Sequence, residues 1–228
     1  MPNQTTRARA VIFDIDGTLL DSVDQHAKAW VDAFSDSGHR VAFEDVRRQI
    51  GKGGDQLLPE FLSVEEIAAR GEALESHRGA ILKERYLPLM KPFAGVRALL
   101  ERVRNDGAKV ALASSAKQDE VKLYKKILNI ADLIDVETSS DDAEQSKPHP
   151  DIFEAVVKRL KGLSPQQMVA IGDTPYDAEA AGKAGIPTIG VRCGGWDEDD
   201  LRRAGCIAVY DDPADLLAQF DTWRSLGT

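Results

Sequence analysis

The chain has little cysteine, no excess of basic residues and no long apolar run, and each shortage excludes something. Only two of its 228 residues are cysteine, Cys193 and Cys206. No disulfide framework is therefore expected, and a reducing compartment is the simpler setting. The formal net charge is −9, without a block of like charge. Nucleic acid and anionic membrane are thus excluded as main partners. An anionic phosphate substrate is not, because a local lysine or a metal ion overrides the global sign. No apolar stretch approaches the ~20 residues that span a bilayer. Met1 to Ala10, polar with Arg7 and Arg9, lacks the apolar core of a signal peptide. The expected location is cytoplasmic. Repeats and low-complexity tracts are also absent.

What is present begins with Val11-Ile12-Phe13-Asp14-Ile15-Asp16-Gly17-Thr18. Val11, Ile12 and Phe13 read as a buried strand. Two carboxylates follow, one residue apart, and a continuing strand would put both on one face. Two like charges that close, at the end of an apolar element, are unfavourable unless a cation neutralises them. Mg2+ is the natural cation, since it takes carboxylate oxygens and keeps waters that a phosphate can replace. A lone Asp-x-Asp would read as a polar turn; the whole string after a strand turns the reading to chemistry.

From Arg97 onward, strand-like runs alternate with amphipathic helices. Val96, Leu99, Leu100 and Val103 have helical spacing and Gly107 suits the helix end. Lys109–Ala113 reads as a strand, Lys117–Leu128 as a helix and Leu133–Val136 as a short strand. Ile152, Phe153, Val156, Val157 and Leu160 mark another helix. Ser164-Pro165-Gln166-Gln167 has the residues of a helix start. Met168–Ile171, Pro187–Val191 and Cys206–Tyr210 read as strands, with a closing helix from Pro213. This alternation predicts an α/β fold, a Rossmann-like parallel sheet with helices on both faces. Residues 21–91 break the pattern. They hold no convincing strand and four helical stripes, the last opened by a Ser63–Glu66 capping box. The expected division is a core of 1–20 and 92–228 and an inserted all-α, four-helix unit of 21–91.

The string Asp-x-Asp-Gly-Thr after a strand resembles the opening motif of the haloacid dehalogenase superfamily, and the helical insertion resembles that superfamily's cap. The resemblance implies that Asp14 is the nucleophile taking a phosphoryl group and Asp16 the general acid and then base. Gly17 and Thr18 would form the phosphate-facing turn. Three further motifs fall after strands, where open parallel sheets bind ligands. Ser114 matches the Ser or Thr of the second motif; its hydroxyl and the next amide, at Ser115, would hold a phosphate oxygen. A Ser after a strand is otherwise a turn or cap residue. Lys147, in Ser146-Lys147-Pro148-His149-Pro150, matches the third motif and would neutralise phosphate and Asp14. His149 is given no role. Gly172-Asp173 with Asp177 matches the fourth motif. Asp173 would complete an Mg2+ shell with Asp14 and the carbonyl of Asp16. Asp177 stays open between orienting Lys147 and balancing a helix dipole.

The resemblance further implies a Mg2+-dependent phosphatase for a small phosphorylated metabolite, phosphoglycolate-like or a sugar phosphate, through an aspartyl phosphate. A phosphomutase of the β-phosphoglucomutase type shares the same core and is the rival. Asp16 makes dehalogenation improbable, and the placement of Lys52 directly after Gly51 does not match a phosphonatase. The intact set Asp14, Asp16, Lys147 and Asp173 speaks against a non-enzymatic binding protein. In the glycine-rich break Ile50–Gln56, Lys52 is the candidate grip on a distal anionic group, with Gly53 allowing close approach, though glycine runs also simply mark loops. Arg47 and Arg48 are weaker candidates. Trp196 is expected to pack on the core. Monomer and homodimer remain equally open.

Overall fold

The computed structural model describes residues 7–226. Met1 to Thr6, which open the polar N-terminal stretch and the 1–20 segment, lie outside the described residues, as do Gly227 and Thr228. Strand β1 (Ala10–Phe13) is the centre of the molecule. Strands β2 (Leu20–Asp21) and β3 (Lys91–Pro92) form a separate antiparallel pair. Strands β4 (Lys109–Ala113), β5 (Val136–Thr138), β6 (Met168–Gly172), β7 (Thr188–Val191) and β8 (Cys206–Tyr210) join β1 in a six-stranded sheet of order β5-β4-β1-β6-β7-β8. Every pairing in it is parallel. The chain goes from β1 to one side through β4 and β5, then returns to the other side through β6. The reversal point lies between β1 and β6, where ligands of such sheets bind.

All of β1 is buried, because helices cover both faces. Alternate side chains go to opposite cores. Val11 and Phe13 join Val110, Leu112, Val169 and Ile171 against helix α5 (Val96–Asn105) and helix α6 (Gln118–Leu128). Ala10 and Ile12 join Ala111, Ala113, Met168 and Ala170 against helices α7 (Asp151–Arg159) and α8 (Pro175–Lys183). Short helices α9 (Glu198–Arg203), α10 (Pro213–Ala218) and α11 (Phe220–Trp223) finish the chain.

Between β2 and β3 stand α1 (Val23–Asp36), α2 (Phe43–Arg47), α3 (Gly54–Leu57) and α4 (Val64–Ile81). Asp21 and Lys91, the ends of the insertion read from the sequence, are cross-strand partners. The Ser63–Glu66 capping box forms, with Glu66 N donating to Ser63 Oγ at 3.3 Å and Ser63 N to Glu66 Oε2 at 2.9 Å. No helix among the described residues is long and apolar enough to cross a membrane.

Three local expectations shift. The short strand expected over Leu133–Val136 lies at Val136–Thr138, because Leu133 is spent in a turn that donates to Ile130 O. Ser164 opens one 3-10 turn, Pro165–Gln167, and no α-helix, because Met168 already belongs to the buried sheet. The second and third helices of the insertion are single turns, α3 being followed by the 3-10 turn Leu58–Glu60. Trp196 is half-buried beside Ala178, Leu201 and Cys206, edge-on to Tyr176 at 5.9 Å. Cys193 and Cys206 are both free.

Leu112 lies fully buried in β4, paired with Phe13 of β1. Leu112→Ala should cost about 2–5 kcal/mol through lost transfer and a residual cavity. The check is a urea unfolding curve: the midpoint should fall with the slope unchanged.

Candidate active site

The parallel register determines what meets at the carboxyl edge of the sheet. Phe13 is opposite Leu112 on one side and Ile171 on the other. The residues that follow, Asp14, Ala113 with Ser114, and Gly172 with Asp173, therefore emerge together. Asp14 N still donates to Ile171 O at 2.9 Å, so its backbone is held by the sheet. Lys147 arrives from the turn before α7 with no exposed surface. Its Nζ lies 2.6 Å from Asp14 Oδ1, 2.7 Å from Asp177 Oδ1 and 2.8 Å from Ala113 O. Burial alone would lower its pKa; the charges of Asp14 and Asp177 outweigh that and raise it.

Asp177 holds Lys147 and also caps α8. Thr174 N and Oγ1 donate to its Oδ2 at 3.1 and 2.7 Å, while Asp177 N donates to Thr174 Oγ1 at 3.2 Å. Asp177 thus lies both beside Lys147 and in the first turn of α8. Asp173 accepts from Thr18 Oγ1 at 2.9 Å through Oδ1, whereas its buried Oδ2 has no hydrogen-bond partner among the described residues. That oxygen sits against two glycines. A Cβ on Gly17, whose φ is +86°, would lie 2.3 Å from it, and one on Gly194 1.7 Å. Burial, Asp177 and Asp14 raise the Asp173 pKa well above the usual carboxylate range. Asp14 is pushed up to about 7, mainly by burial, with Lys147 opposing and Asp177 and Asp16 adding to the rise.

Asp16 behaves differently. Burial would raise its pKa, but the charge of His26 and hydrogen bonds from His26 and Ser22 outweigh it and hold it below the usual value. Ser22 Oγ donates to Asp16 Oδ1 at 2.6 Å, and His26 Nε2 lies 2.9 Å from the same oxygen. Tyr124 Oη stands 3.3 Å behind His26.

Asp14 and Asp16 line a cavity of about 50 Å³ with His26, Trp30, Gly51, Lys52, Gly53, Arg78, Ser115 and Glu120. Ser114 is fully buried below it, its Oγ accepting from Ala116 N at 3.1 Å, while Ser115 Oγ donates across to Gly51 O of the helical insertion at 3.0 Å. The Gly17 amide, read as phosphate-facing, donates to Leu20 O at 2.8 Å. Lys52 lies at the cavity but bonds Glu60 Oε1 at 2.8 Å and Gln49 Oε1 at 2.6 Å. Arg47 and Arg48 lie against the loop at 194–196, Arg47 Nη2 donating to Gly194 O at 3.3 Å and Arg48 standing over Trp196. His149 stays half-buried in a turn, its amide bonded to Ser146 O.

His26, Arg78 and Glu120 were not singled out from the sequence. A signal was there. Arg78 falls between Leu74 and Ile81 on the buried stripe of α4, His26 four residues before Trp30, and Glu120 four before Tyr124. A charge on an apolar stripe is unusual enough to mark.

The family model described as haloacid dehalogenase-like hydrolase matches residues 11–191. A phosphorylated carbohydrates phosphatase of Thermotoga maritima is 31% identical over 212 residues, which is 91% of this chain and 96% of that protein. A phosphoglycolate phosphatase of Aquifex aeolicus is 31% identical over 183 residues, covering 79% of this chain and 83% of that one. The chain also matches, at 32% identity, one part of the Arabidopsis thaliana protein Suppressor of Quenching 1, chloroplastic, spanning 20% of its length. The crystal structure of a hydrolase from Pseudomonas syringae superposes with a TM-score of 0.84 at 31% identity, over 93% of this chain and 98% of the other.

The two raised carboxyls bind protons more tightly in the folded protein than in the unfolded chain. The stability this provides is present below the unfolded-state value of 3.8 and is lost as pH rises through about 7 for Asp14. Chelator-treated protein should therefore lose melting temperature between about pH 5 and about pH 7.5. Asp173→Asn, which removes one of the two titrating carboxyls, should flatten that slope. Melting curves on both proteins decide it, and an identical slope would mean the Asp173 charge is compensated.

Proposed function

The chain belongs to the haloacid dehalogenase-like hydrolases, and from that premise we propose that it is a Mg2+-dependent phosphatase that splits a small organic phosphate monoester through a phosphoryl group carried on Asp14. The observation that supports this reading above others is the bonding of Asp14. Lys147 occupies its Oδ1. The other oxygen is left to attack phosphorus, and the same ammonium stands where a phosphoryl oxygen gains charge.

In the first step, a bond forms from Asp14 Oδ2 to phosphorus as the ester P–O bond breaks. Asp16 gives its proton to the departing oxygen. In the second, water attacks phosphorus, Asp16 takes the water's proton, and the Asp14–phosphorus bond breaks to release inorganic phosphate. Ser22 and His26 aim Asp16 by gripping one carboxylate oxygen and leaving the other for the proton. Because these partners favour the ionised form, Asp16 suits the base role at rest, and the arriving dianionic phosphate raises its proton affinity for the acid role.

The residues present fit a divalent cation. Ligand oxygens of Asp14, Asp173 and Asp177 lie within 4.8 Å of one another. The three carboxylates share one ammonium, that of Lys147, which leaves two negative charges to balance, and Asp173 Oδ2 has no partner. Hard oxygens in such a set suit Mg2+. Asp14 and Asp173 would hold the ion with the carbonyl of Asp16, and Asp177 would stay with Lys147 and the start of α8. When bound, the ion offsets the carboxylate charge and withdraws electrons from a phosphoryl oxygen.

The helical insertion acts as the cap. A cavity of about 50 Å³ falls well below the ~300–1,000 Å³ of small-molecule sites. A substrate therefore enters only when the cap lifts, about the paired strands β2 and β3. Lys52, tied to Glu60, serves to close that cap over Tyr176, its Nζ 5.0 Å from the ring centre.

Asp14→Asn should lower phosphate release from p-nitrophenyl phosphate by at least about a thousandfold, as removal of a nucleophile does elsewhere. Chelation should abolish release and added Mg2+ restore it. The readout is free phosphate; a sugar phosphate returned as its isomer, without free phosphate, would mark a mutase instead.

A further inference from the structure

The cavity wall built by α1, α4 and α6 carries charges that the phosphoryl chemistry does not use. Arg78 Nη1 of α4 donates to Glu120 Oε1 of α6 at 3.1 Å, and the guanidinium stands 5.2 Å over the Trp30 ring of α1. Arg78 is 9% exposed and Glu120 3%. Burying such a pair is costly unless its remaining polar atoms are also met. They are not. Arg78 Nε and Glu120 Oε2, one donor and one acceptor, have no hydrogen-bond partner among the described residues. Both side chains line the cavity that holds Asp14 and Asp16. The other basic side chains of that lining are bonded too: Lys52 to Glu60 Oε1 and His26 to Asp16 Oδ1. Among the described residues, no uncommitted lysine or arginine lines that cavity for a second anionic group.

We infer that the Arg78–Glu120 pair reads the leaving group and selects phosphate esters of neutral, hydroxyl-bearing alcohols, polyol or sugar phosphates, over esters ending in a carboxylate. The inference rests on the phosphatase reading and deepens it. Both atoms are closed off from solvent in this closed arrangement. A hydroxyl both donates and accepts, so one hydroxyl, or two neighbours on a polyol, entering as the cap lifts, meets Glu120 Oε2 and Arg78 Nε together. A carboxylate only accepts. It would leave Glu120 unmet and set two like charges side by side in a buried site. The Trp30 ring adds an apolar wall for carbon-bound hydrogens. A site built to bond a hydroxyl discriminates strongly against a ligand that cannot complete those bonds.

The experiment compares matched esters. Glycerol 3-phosphate and 3-phosphoglycerate share a carbon chain and differ only in a hydroxymethyl group against a carboxylate. With Mg2+, kcat/KM for glycerol 3-phosphate should exceed that for 3-phosphoglycerate by about tenfold or more. Glu120→Gln, which removes the repelling charge, should narrow the ratio by about tenfold, chiefly by raising the value for 3-phosphoglycerate. Equal rates in the unmutated protein, or a preference for the carboxylate, would overturn the inference. A second measurement needs neither turnover nor Glu120→Gln: calorimetric binding of both esters to the Asp14→Asn protein should show the same order, and equal affinities would again overturn it. Failure of the unmutated protein to release phosphate even from p-nitrophenyl phosphate would sink the phosphatase reading separately, while the binding order still judges this pair.

Discussion

The site depends on one buried ammonium. Lys147 has three hydrogens to donate and three acceptors around it: Asp14 after β1, Ala113 O at the end of β4, and Asp177 at the start of α8. Each comes from a different part of the sheet edge. An unpaired ammonium at that depth would be intolerable, and loss of one partner of a buried pair costs about 3–5 kcal/mol. The ends of β1, β4 and β6 therefore cannot slip relative to one another without stranding a charge. The same geometry that holds the fold's edge together aims the free oxygen of Asp14. Stability and the proposed chemistry share a contact here, and the surplus of carboxylate over ammonium suits the edge to a cation.

Crowding is the second constraint. Asp173 Oδ2 is wedged against Gly17 and Gly194, where a methyl group would overlap it at 2.3 and 1.7 Å. Gly17 has a second reason to be glycine, its φ of +86°. The loop after β7 thus matters to the site through closeness, without offering a reactive group. Cys193, next to it, is pushed up mainly by burial and secondarily by Asp173, beyond the range in which a thiol ionises at neutral pH.

Much of this was legible in the chain itself. The parallel sheet could be read because its buried strands are short apolar runs with amphipathic helices between them, as at Lys109–Ala113 and Gln118–Leu128. Asp14, Asp173 and Asp177 could be read because each follows a strand or opens a helix, where side chains converge at one sheet edge, and Lys147 through the resemblance of its motif. What failed was local. Leu133 and Ile134 are apolar yet lie in a turn, since burial of single side chains does not require a strand. Ser164 has a full capping box but caps one turn, because the chain is already committed to β6. Lys52 reads as a free cation along the chain, yet folding brings Glu60 to it. Pairings between distant segments are invisible to periodicity.

The same limit explains why residues inside helices were missed while those at strand ends were not. The carboxylates proposed for the chemistry sit at breaks in pattern, after a strand or beside a glycine, so the pattern itself advertises them. Arg78, Glu120 and His26 sit inside helices, on stripes otherwise filled by Leu74 and Ile81, by Tyr124, and by Trp30. A helix hides such a residue, because the count of apolar positions still yields a helix and the charged one is passed over as an imperfection. Physically it is the opposite. A charge on a buried stripe must find a partner on another element, and α4 and α6 belong to different sides of the β2–β3 junction. An ion pair spanning that junction can be satisfied only when the two sides are together. Both residues line the space between the two sides, and each keeps one buried polar atom without a partner among the described residues. Charged interruptions of apolar stripes on both sides of an insertion are thus the trace, in sequence, of a cavity that exists only in the closed molecule.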